Sequence, residues 1–540
     1  MSKKRAWWQE AVLYQIYPRS FCDANNDGNG DLKGIISKLD YLASLQIDGI
    51  WLSPIYESPM KDNGYDVSDY YKINPLFGTM EDFDELIIKA KKKNIKIIMD
   101  LVCNHTSTEH VWFKEAIKNK NSKYHDFYIF KDKPDDRKSS FGGSAWSYVE
   151  SLDEYYFHYF DESQADLNWA NPELRKEVAK ICKFWMDKGC GGFRLDAIEL
   201  ISKDLEKGII ANGPHIHEYL KELNENSFGL YDEALTVGEG WPTIDICLDY
   251  TKPERKELSL IFEFETATLD WNPKGYGKYQ PIEVDHDKLK NVITNWQVGL
   301  KDKSWNVVFL ENHDLGRSVT RYGNDKEYKV ESAKMLATMI MFLNGTIFLY
   351  QGQELGMTNP YFTNLDLYND VDSKTQYKDI VLEMKHMTHD EFMHGLLMNS
   401  RDNARCPMHW DNSVNLGFNN GAKPWLHMND LCKDINVYNE VNDNNSVLNY
   451  YKKLITIRKG LYKDVLVDGL YERLSNYETT KDMFVYKKTY LDDEIIVILN
   501  LGDKNINYNL SLVENKEILI SNYENISNKL RPYEAIVVKR

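Results

Sequence analysis

Eight short apolar segments alternate along the chain with longer amphipathic segments, and this alternation limits the possible folds more than any other feature. Short apolar runs bounded by polar or turn-forming residues are typical of strands that are buried on both faces. The segments between them, such as "LKGIISKLDYLASL" at 32–45 and "NPELRKEVAKICKFWMDKG" at 171–189, repeat apolar residues with the period of a helix. The predicted strands are 12–18, 49–55, 95–102, 191–197, 235–239, 258–265, 305–314 and 347–354.

Eight strands joined by crossover helices predict an α/β protein with a closed (β/α)8 TIM barrel. Residues 106–170, after the third strand, form a segment too long for an ordinary connection and rich in aromatic residues, which indicates an inserted small domain. The tail contains short apolar runs separated by polar turns, which predicts a C-terminal antiparallel β-sandwich domain. The stretch at about 359–445 shows neither pattern and is interpreted as irregular. The predicted boundaries are 1–105 and 171–462 for the barrel, 106–170 for the insertion and 463–540 for the tail.

The composition excludes several classes of function. The chain carries 83 acidic and 66 basic residues, a net charge of −17, which repels nucleic-acid phosphates and anionic membranes. Its seven cysteines are scattered without CxxC spacing, which is typical of reduced thiols rather than of zinc ligands or disulfides. No run of about 18 apolar residues occurs, so we expect no membrane span. We therefore predict a cytoplasmic, monomeric protein that binds neither nucleic acid nor membrane and uses no organic cofactor.

Four carboxyls fall at the predicted C-terminal ends of barrel strands, where the chemistry of TIM barrels collects. They are Asp100, Asp196, Glu239 and Asp314, at the ends of the third, fourth, fifth and seventh strands. Clustered anions raise the pKa of at least one member, so such a group indicates a metal site or paired acid and base chemistry. Arg194 shares a strand face with Asp196, and a cation inside the cluster argues against a catalytic metal. Two carboxyls, one ionised and one protonated, are what glycoside hydrolysis needs.

The order of the motifs at these strand ends carries a family resemblance. "DLVCNH" at 100–105, "GFRLDA" at 192–197, "VGEG" at 237–240 and "ENHD" at 311–314 together resemble the α-amylase superfamily of glycoside hydrolases. "WLSPIYESPMKDNGYDVSDY", "QADLNW" and "SRDNARCPMHWD" are similar to one subgroup, that of the oligo-1,6-glucosidases, α-glucosidases and trehalose-6-phosphate hydrolases. The resemblance covers nearly the whole chain.

The resemblance implies roles for the three acids. Asp196 would be the nucleophile, kept anionic by Arg194. Glu239 would be the general acid and then the base, and desolvation, with Trp241 as a candidate cause, should raise its pKa. Asp314 would orient sugar hydroxyls and stabilise oxocarbenium-like charge, and Asp100 is interpreted as a structural partner of Arg194.

The resemblance also implies a closed sugar pocket, which would make the enzyme exo-acting on a small-molecule sugar substrate. Asp62, Tyr65 and Arg401 would close the site over the non-reducing end of the substrate. His105 and His313 would hydrogen-bond the same sugar ring. Phe160 and Gln164 would line the pocket, with packing as the alternative for Phe160. These substrate-binding residues, with Arg194, are Asp62, Tyr65, His105, Phe160, Gln164, His313 and Arg401.

The segment "DANNDGNGD" at 23–31 alternates oxygen-bearing side chains with small residues. It is no EF-hand, because position 12 of such a loop is Gly34 and not Glu. It resembles the calcium or magnesium loop that follows the first strand in this subgroup, which implies a structural Ca²⁺ or Mg²⁺. A plain turn rich in Asp and Asn is the alternative. The predicted ligands are Asp23, Asn25, Asp27, Asn29 and Asp31.

The resemblance implies a retaining exo-α-glucosidase that cleaves terminal α-1,4 and/or α-1,6 bonds of short gluco-oligosaccharides and releases glucose. Three departures leave the linkage and the leaving-group side open: Ala197 where oligo-1,6-glucosidases carry Val, "GEGWP" in place of "GEM", and "ENHDLGR" in place of "NHDQPR". A trehalose-6-phosphate hydrolase, a sucrose isomerase or a transglucosidase is an alternative. A non-catalytic relative, such as the transporter heavy chains, or a sugar-binding protein is disfavoured, because all three acids are present.

Overall fold

Residues 5–540 are described by a computed structural model, in which eight parallel strands form a nearly closed barrel. Numbered β1 to β8 along the chain, the strands lie in the order β6-β5-β4-β3-β2-β1-β8-β7. Strands β2 to β6 each pair with the strand before them in the chain, and β8 pairs with both β1 and β7. No ladder joins β6 to β7 among residues 5–540, and the barrel is open there. The predicted TIM barrel is confirmed. The strands are β1 (Val12–Ile16), β2 (Gly49–Leu52), β3 (Lys96–Val102), β4 (Gly192–Asp196), β5 (Leu235–Gly238), β6 (Leu260–Ile261), β7 (Val307–Val308) and β8 (Thr346–Tyr350).

Two of these strands are much shorter than the apolar runs that predicted them. β6 and β7 have two residues each, whereas the runs cover 258–265 and 305–314. The apolar residues beyond the paired part, such as Phe262 and Phe309, still pack in the barrel interior, so the pattern reports burial and not hydrogen bonding. Past β7 the chain leaves the ladder and carries the predicted site residues of "ENHD" in a loop.

The helices begin where the sequence provides N-terminal caps. Thr79 and Asp82 form a capping box at the helix Met80–Lys92, and Asn171 caps the helix Pro172–Asp187, which has Pro172 in its first turn. The helices are α1 (Leu32–Ser37), α2 (Leu39–Ser44), α3 (Met80–Lys92), α4 (Val111–Ala116), α5 (Pro172–Asp187), α6 (Ile216–Asn226), α7 (Ile244–Thr251), α8 (His286–Gly299), α9 (Ser318–Tyr322), α10 (Lys329–Met341), α11 (Val371–Gln376), α12 (His389–Asn399), α13 (Asp402–Arg405), α14 (Val437–Asn442), α15 (Val447–Lys459) and α16 (Lys463–Val467). None of the helices in residues 5–540 is long and apolar enough to span a membrane.

The insertion after β3 contains α4 and a three-stranded antiparallel sheet formed by Phe130–Lys131, Trp146–Val149 and Glu154–Phe157. Its two ends pair as short antiparallel strands, with His105 opposite Asp166 and Ser107 opposite Gln164. This pairing holds the insertion beside β3 and brings His105 and Gln164, far apart in sequence, to the same side of the barrel mouth.

The tail forms an antiparallel sheet domain, as predicted. Its five-stranded sheet runs Leu470–Arg473, Met483–Tyr490, Asp493–Asn500, Ala535–Lys539 and Glu517–Ser521, in this spatial order. The second layer is small, a pair of two-residue strands at Ile506–Asn507 and Lys529–Leu530, and an apolar cluster lies between the layers. The domain boundaries given above stay predictions.

The stretch at about 359–445, interpreted as irregular, contains four helices, α11 to α14, and a short π-helix at Tyr377–Glu383. The sequence carried a signal that was missed: Thr388 and Glu391 form a capping box at α12, which buries Phe392 and Leu396. Gly395 and polar residues interrupt the apolar period of this helix, and its burial comes from tertiary packing rather than from its own pattern.

Candidate active site

A cavity of about 570 Å³ opens at the C-terminal end of the barrel. It is lined by ten of the eleven side chains predicted for catalysis and sugar binding, and the eleventh, Arg194, is buried near the cavity floor with 1% exposure. The ten are Asp62, Tyr65, His105, Phe160, Gln164, Asp196, Glu239, His313, Asp314 and Arg401.

Arg194 pairs with three carboxyls at once. Its NH1 donates to Asp100 Oδ1 at 2.9 Å and to Asp196 Oδ1 at 2.7 Å, and its NH2 lies 2.6 Å from Glu239 Oε2. Asp100 is directly opposite Arg194 in the β3–β4 ladder, which explains its role as a structural partner. Because both nitrogens belong to one rigid guanidinium, the bound oxygens of Asp196 and Glu239 are no more than about 8 Å apart.

One buried cation cannot neutralise three buried carboxyls, and the pKa values reflect this. Burial raises the pKa of Asp196 to about 7 and that of Glu239 to about 7, although Arg194 acts to lower both. Arg194 acts on Asp196 in the expected direction, but burial opposes it, and the expectation that Asp196 is kept anionic stays a prediction. Trp241, the candidate cause for Glu239, is half exposed with its ring stacked on Phe264. The cluster as a whole retains a proton close to neutral pH.

The turn after β4 ties Asp196 to the loop after β5. Ala197 adopts a left-handed conformation, with φ 43° and ψ 40°, and its N–H donates to Glu239 Oε2 at 3.0 Å. The next residue, Ile198, donates its N–H to the Glu239 carbonyl at 3.1 Å. The two candidate catalytic carboxyls therefore lie on backbone segments that are directly hydrogen-bonded to each other.

Asp314 lies among cations. Arg405 NH2 donates to its Oδ1 at 2.8 Å, and Arg401 NH1 is 3.6 Å from the same oxygen. Burial raises the pKa of Asp314, but the attraction of His313 when its ring is protonated, together with the charges of Arg401 and Arg405, outweighs burial and holds that pKa well below its usual range. Burial lowers the pKa of the adjacent His313 to about 3, so its ring is neutral. Asp314 is thus a permanent anion facing the cavity.

An ion-pair network around Arg401 forms one part of the cavity wall. Its NH2 donates to Asp62 Oδ1 at 3.0 Å and its Nε donates to Asp370 Oδ1 at 2.8 Å. Gln164 Nε2 donates to the other Asp62 oxygen at 3.1 Å. Asp370 was not predicted as a site residue, because it lies in the stretch interpreted as irregular. Its sequence signal is that of an N-cap: it precedes α11, and its side chain accepts the backbone N–H groups of Asp372 and Ser373.

Aromatic and imidazole rings form the pocket wall. Tyr65 stacks on His313 with ring centroids 5.1 Å apart, and its hydroxyl donates to Asp100 at 3.0 Å. His105 Nε2 is 2.9 Å from the Tyr65 carbonyl, and Phe160 contacts the His105 ring edge to face. Flat aromatic faces beside hydrogen-bonding groups are suited to sugar rings, which have apolar faces and polar edges.

The predicted ion-binding residues lie together in the loop between β1 and α1 but are engaged within the protein. Both Asp23 oxygens already accept donors, and so do both Asp31 oxygens, one of which accepts the Gly34 N–H as the N-cap of α1. The donors to Asp23 are the backbone N–H groups of Asn26, Asp27 and Gly28 and the side chain of Asn419.

The other three predicted ligands also bond within the loop. Asp27 N–H donates to Asn25 Oδ1, Asn29 N–H donates to Asp27 Oδ1, and Asn29 Oδ1 accepts Arg19 Nε at 2.8 Å. In residues 5–540 no group of three or more His, Cys, Asp or Glu side chains is arranged to hold a metal. A carboxylate that accepts an N–H keeps further lone pairs that could ligate a cation, and the divalent ion stays a prediction.

A TIM barrel with buried carboxyls grouped around an arginine at its C-terminal mouth defines a class, the glycoside hydrolases that use paired carboxyls. The model of the alpha-amylase catalytic domain matches residues 15–469. The chain therefore belongs to the alpha-amylase family and is a glycoside hydrolase.

Known relatives match along the full length of the chain. The chain is 44% identical to an oligo-1,6-glucosidase of Bacillus cereus, over 99% of the chain and 100% of the relative. It is 45% identical to a trehalose-6-phosphate hydrolase of Bacillus subtilis (strain 168), over 100% and 99%. The crystal structure of an isomaltulose synthase from Klebsiella sp. LX3 is 37% identical, with a TM-score of 0.93 and coverage of 99% and 100%.

Proposed function

We propose that the protein is a retaining, exo-acting α-glucosidase that releases glucose from short, neutral gluco-oligosaccharides and disaccharides. The single observation that carries this proposal is that Asp196 and Glu239 share the two terminal nitrogens of Arg194. Retaining glycosidases need two carboxyls about 5–5.5 Å apart, one anionic and one protonated. The shared guanidinium supports both conditions, because it holds the bound oxygens within about 8 Å of each other and its single charge cannot neutralise both carboxyls.

The reaction follows from this pair. The Asp196 carboxylate attacks the anomeric carbon while Glu239 gives its proton to the glycosidic oxygen, the bond between these two sugar atoms breaks, and a glucosyl ester forms on Asp196. Glu239, now a carboxylate, takes a proton from water, and the resulting hydroxide oxygen attacks the anomeric carbon and expels Asp196. Two inversions at one carbon return the α configuration.

Asp314 and the neutral histidines have supporting roles. A permanent anion beside the sugar ring stabilises the positive charge that develops at the anomeric carbon. A neutral imidazole can hydrogen-bond a hydroxyl without adding a positive charge that would oppose this one, and burial lowers the pKa of both His313 and His105.

The closed end of the pocket supports exo action. Arg401 links Asp62 and Asp370 across the wall, so a chain cannot extend past this end without breaking a buried ion pair. A volume of about 570 Å³ is within the range of small-ligand sites and accepts a short oligosaccharide.

The charges of the cavity support a neutral substrate over a phosphorylated one. Among the described residues that line it, the Lys and Arg side chains are Lys278 and Arg401, and both are paired. Lys278 Nζ is 2.5 Å from Asp372 and Arg401 is held by Asp62 and Asp370. A phosphate would enter a cavity with no uncommitted cation, which opposes trehalose 6-phosphate as the preferred substrate.

The linkage is proposed from the relatives and the residue after Asp196. Relatives named oligo-1,6-glucosidase support cleavage of α-1,6 bonds. The small Ala197 side chain lines the cavity and leaves room for α-1,4 substrates as well. We therefore propose activity on isomaltose-type bonds and, to a lesser extent, on maltose-type bonds.

The test is a substrate panel of isomaltose, maltose, sucrose, trehalose 6-phosphate and p-nitrophenyl α-glucoside, with an inactive Asp196→Asn variant as the control. We expect glucose release from isomaltose at least about tenfold faster, as kcat/KM, than from trehalose 6-phosphate. Conversion of sucrose to an isomer without glucose release, or a preference for the phosphorylated sugar, would replace the proposal with one of its alternatives.

A further inference from the structure

Glu199 is a carboxyl of the cavity wall that neither the catalytic pair nor the closed end of the pocket uses. It lies three residues after Asp196 and lines the same cavity. Its Oε2 accepts the backbone N–H of Trp241 at 2.9 Å and the side-chain amide N–H of Asn212 at 3.5 Å. In residues 5–540 Glu199 forms no ion pair, and its hydrogen-bond partners are neutral although its side chain is largely buried. Both hydrogen bonds end on Oε2, so Oε1 keeps its capacity to accept a donor.

The loop that carries Glu239 is shaped around Glu199. A Cβ at Gly240 would lie 3.0 Å from Glu199 Oε2 and 3.3 Å from Ile261, so a larger residue there would displace the carboxyl. Gly240 is one of the departures from the subgroup pattern, "GEGWP" in place of "GEM". The glycine and the acid are thus parts of one arrangement, next to the residue that protonates the leaving oxygen.

The position of Glu199 relative to the glucosyl pocket defines which sugar it can reach. In the proposed function the paired Asp62 and Arg401 close the glucosyl end, and Glu239, which lines the same cavity, protonates the glycosidic oxygen. The departing unit must therefore lie beyond Glu239, on the side of Glu199 and Trp241. The half-exposed Trp241 ring adds an apolar face on that side.

On the basis of the proposed function, we infer that Glu199 is a specificity-determining residue that binds hydroxyls of the departing sugar and disfavours a phosphate there. An ionised carboxyl is a pure acceptor, and sugar hydroxyls are donors, so this contact is a charge-assisted hydrogen bond. The same charge repels a phosphate on the departing sugar.

The competing interpretation is that Glu199 only holds the loop through the Trp241 N–H. Glu199→Gln separates the two, because its amide oxygen still accepts that N–H while the charge is lost. Glu199→Ala removes both contacts. Glu206→Gln is the matched control: this acid follows in the same segment, its side chain is 81% exposed, and it pairs with Lys131 away from the cavity.

The experiment measures kcat and KM of the full chain on isomaltose, on p-nitrophenyl α-glucoside, whose leaving group has no sugar hydroxyls, and on trehalose and trehalose 6-phosphate. For Glu199→Ala we expect kcat/KM on isomaltose to fall at least about tenfold, mainly through KM, and less than about threefold on the aryl glucoside. For Glu199→Gln we expect a smaller loss on isomaltose and a rise of about fivefold or more in the rate on trehalose 6-phosphate relative to trehalose.

Equal losses on isomaltose and the aryl glucoside, or an unchanged phosphate ratio in Glu199→Gln, overturn the inference and leave the proposed function standing. A wild-type chain that hydrolyses none of the neutral glucosides overturns the proposed function and the inference with it. Melting curves of each variant confirm that losses are not due to unfolding, and Glu206→Gln should match the wild type on every substrate.

Discussion

Ala197 points its backbone N–H at the Glu239 carboxyl, 3.0 Å from Oε2. It does so from a left-handed conformation, φ 43°, that costs a residue other than glycine about 1 kcal/mol. Strain of this kind persists where surrounding contacts enforce it, and it is concentrated at functional sites. Here it orients Glu239, the proposed general acid, from the residue that directly follows Asp196, the proposed nucleophile.

Ala197→Val tests how this position affects linkage. A β-branched side chain is disfavoured at positive φ, so we expect a loss of stability of about 1 kcal/mol. Its bulk narrows the leaving-group side, and we expect kcat/KM on maltose to fall at least about threefold relative to isomaltose. An unchanged ratio of the two substrates would show that Ala197 does not affect linkage, and the exposed Ala170→Val is the control.

Asp196→Asn tests the electrostatics of the cluster through stability. The pKa of Asp196 is raised to about 7 in the folded protein, above its ordinary 3.8, so its contribution to stability is present below pH 4 and is lost as the pH rises to about 7. Asparagine cannot ionise. We expect the variant to be inactive, and more stable than the wild type at pH 8 by about 1 kcal/mol or more, with a smaller difference at pH 4.5.

Thermal or urea unfolding at the two pH values measures this difference. A variant that is less stable than the wild type at pH 8 would indicate that the carboxyl stabilises the fold as an anion, against the raised pKa.

Glu239→Gln tests the general acid. The variant cannot protonate a sugar leaving group, and we expect kcat/KM on isomaltose to fall about a thousandfold. Good leaving groups need little protonation. The rate of the first step, in which the glucosyl ester forms, should therefore fall much less on p-nitrophenyl α-glucoside than on isomaltose. In the wild type, kcat/KM should decline above about pH 7, where Glu239 loses its proton, and the variant should lack this decline. A uniform loss on both substrates would assign Glu239 another role.

Metal analysis separates the two interpretations of the 23–31 loop. The family resemblance predicts about one equivalent of calcium or magnesium per chain. It also predicts a lower melting temperature in EDTA, because removing the ion removes RT ln(1 + [L]/Kd) from the free energy of unfolding. The Asp- and Asn-rich turn predicts no bound ion and no effect of EDTA. Asp27→Ala, at an exposed position, should remove the ion if it is present.

Much of the fold could be predicted because burial imposes a period on the sequence. The eight strands and their order follow from apolar runs separated by helices, and Arg194 and Asp196 share a face because side chains in a strand alternate. The lengths of β6 and β7 could not be predicted, because apolar residues such as Phe262 and Phe309 stay buried after the ladder ends.

The parts of the site that depend on neighbouring loops were not predictable. That Glu239 takes the second nitrogen of Arg194 depends on the register of β4 against β5, which no local pattern encodes. Glu199 carries no signal of its own, and Asp370 carries only that of a helix cap. Glu199 lines the cavity and Asp370 binds Arg401 of its wall, a placement that exists only once the loops after β4 and β8 come together.

In the proposed reaction, Asp196 and Glu239 carry out two successive displacements at one carbon. An NMR time course of isomaltose or aryl α-glucoside hydrolysis, recorded before mutarotation, measures which anomer of glucose is released first. We expect α-glucose as the first product. β-Glucose as the first product would mean a single displacement by water and would contradict the assignment of Asp196 as the nucleophile.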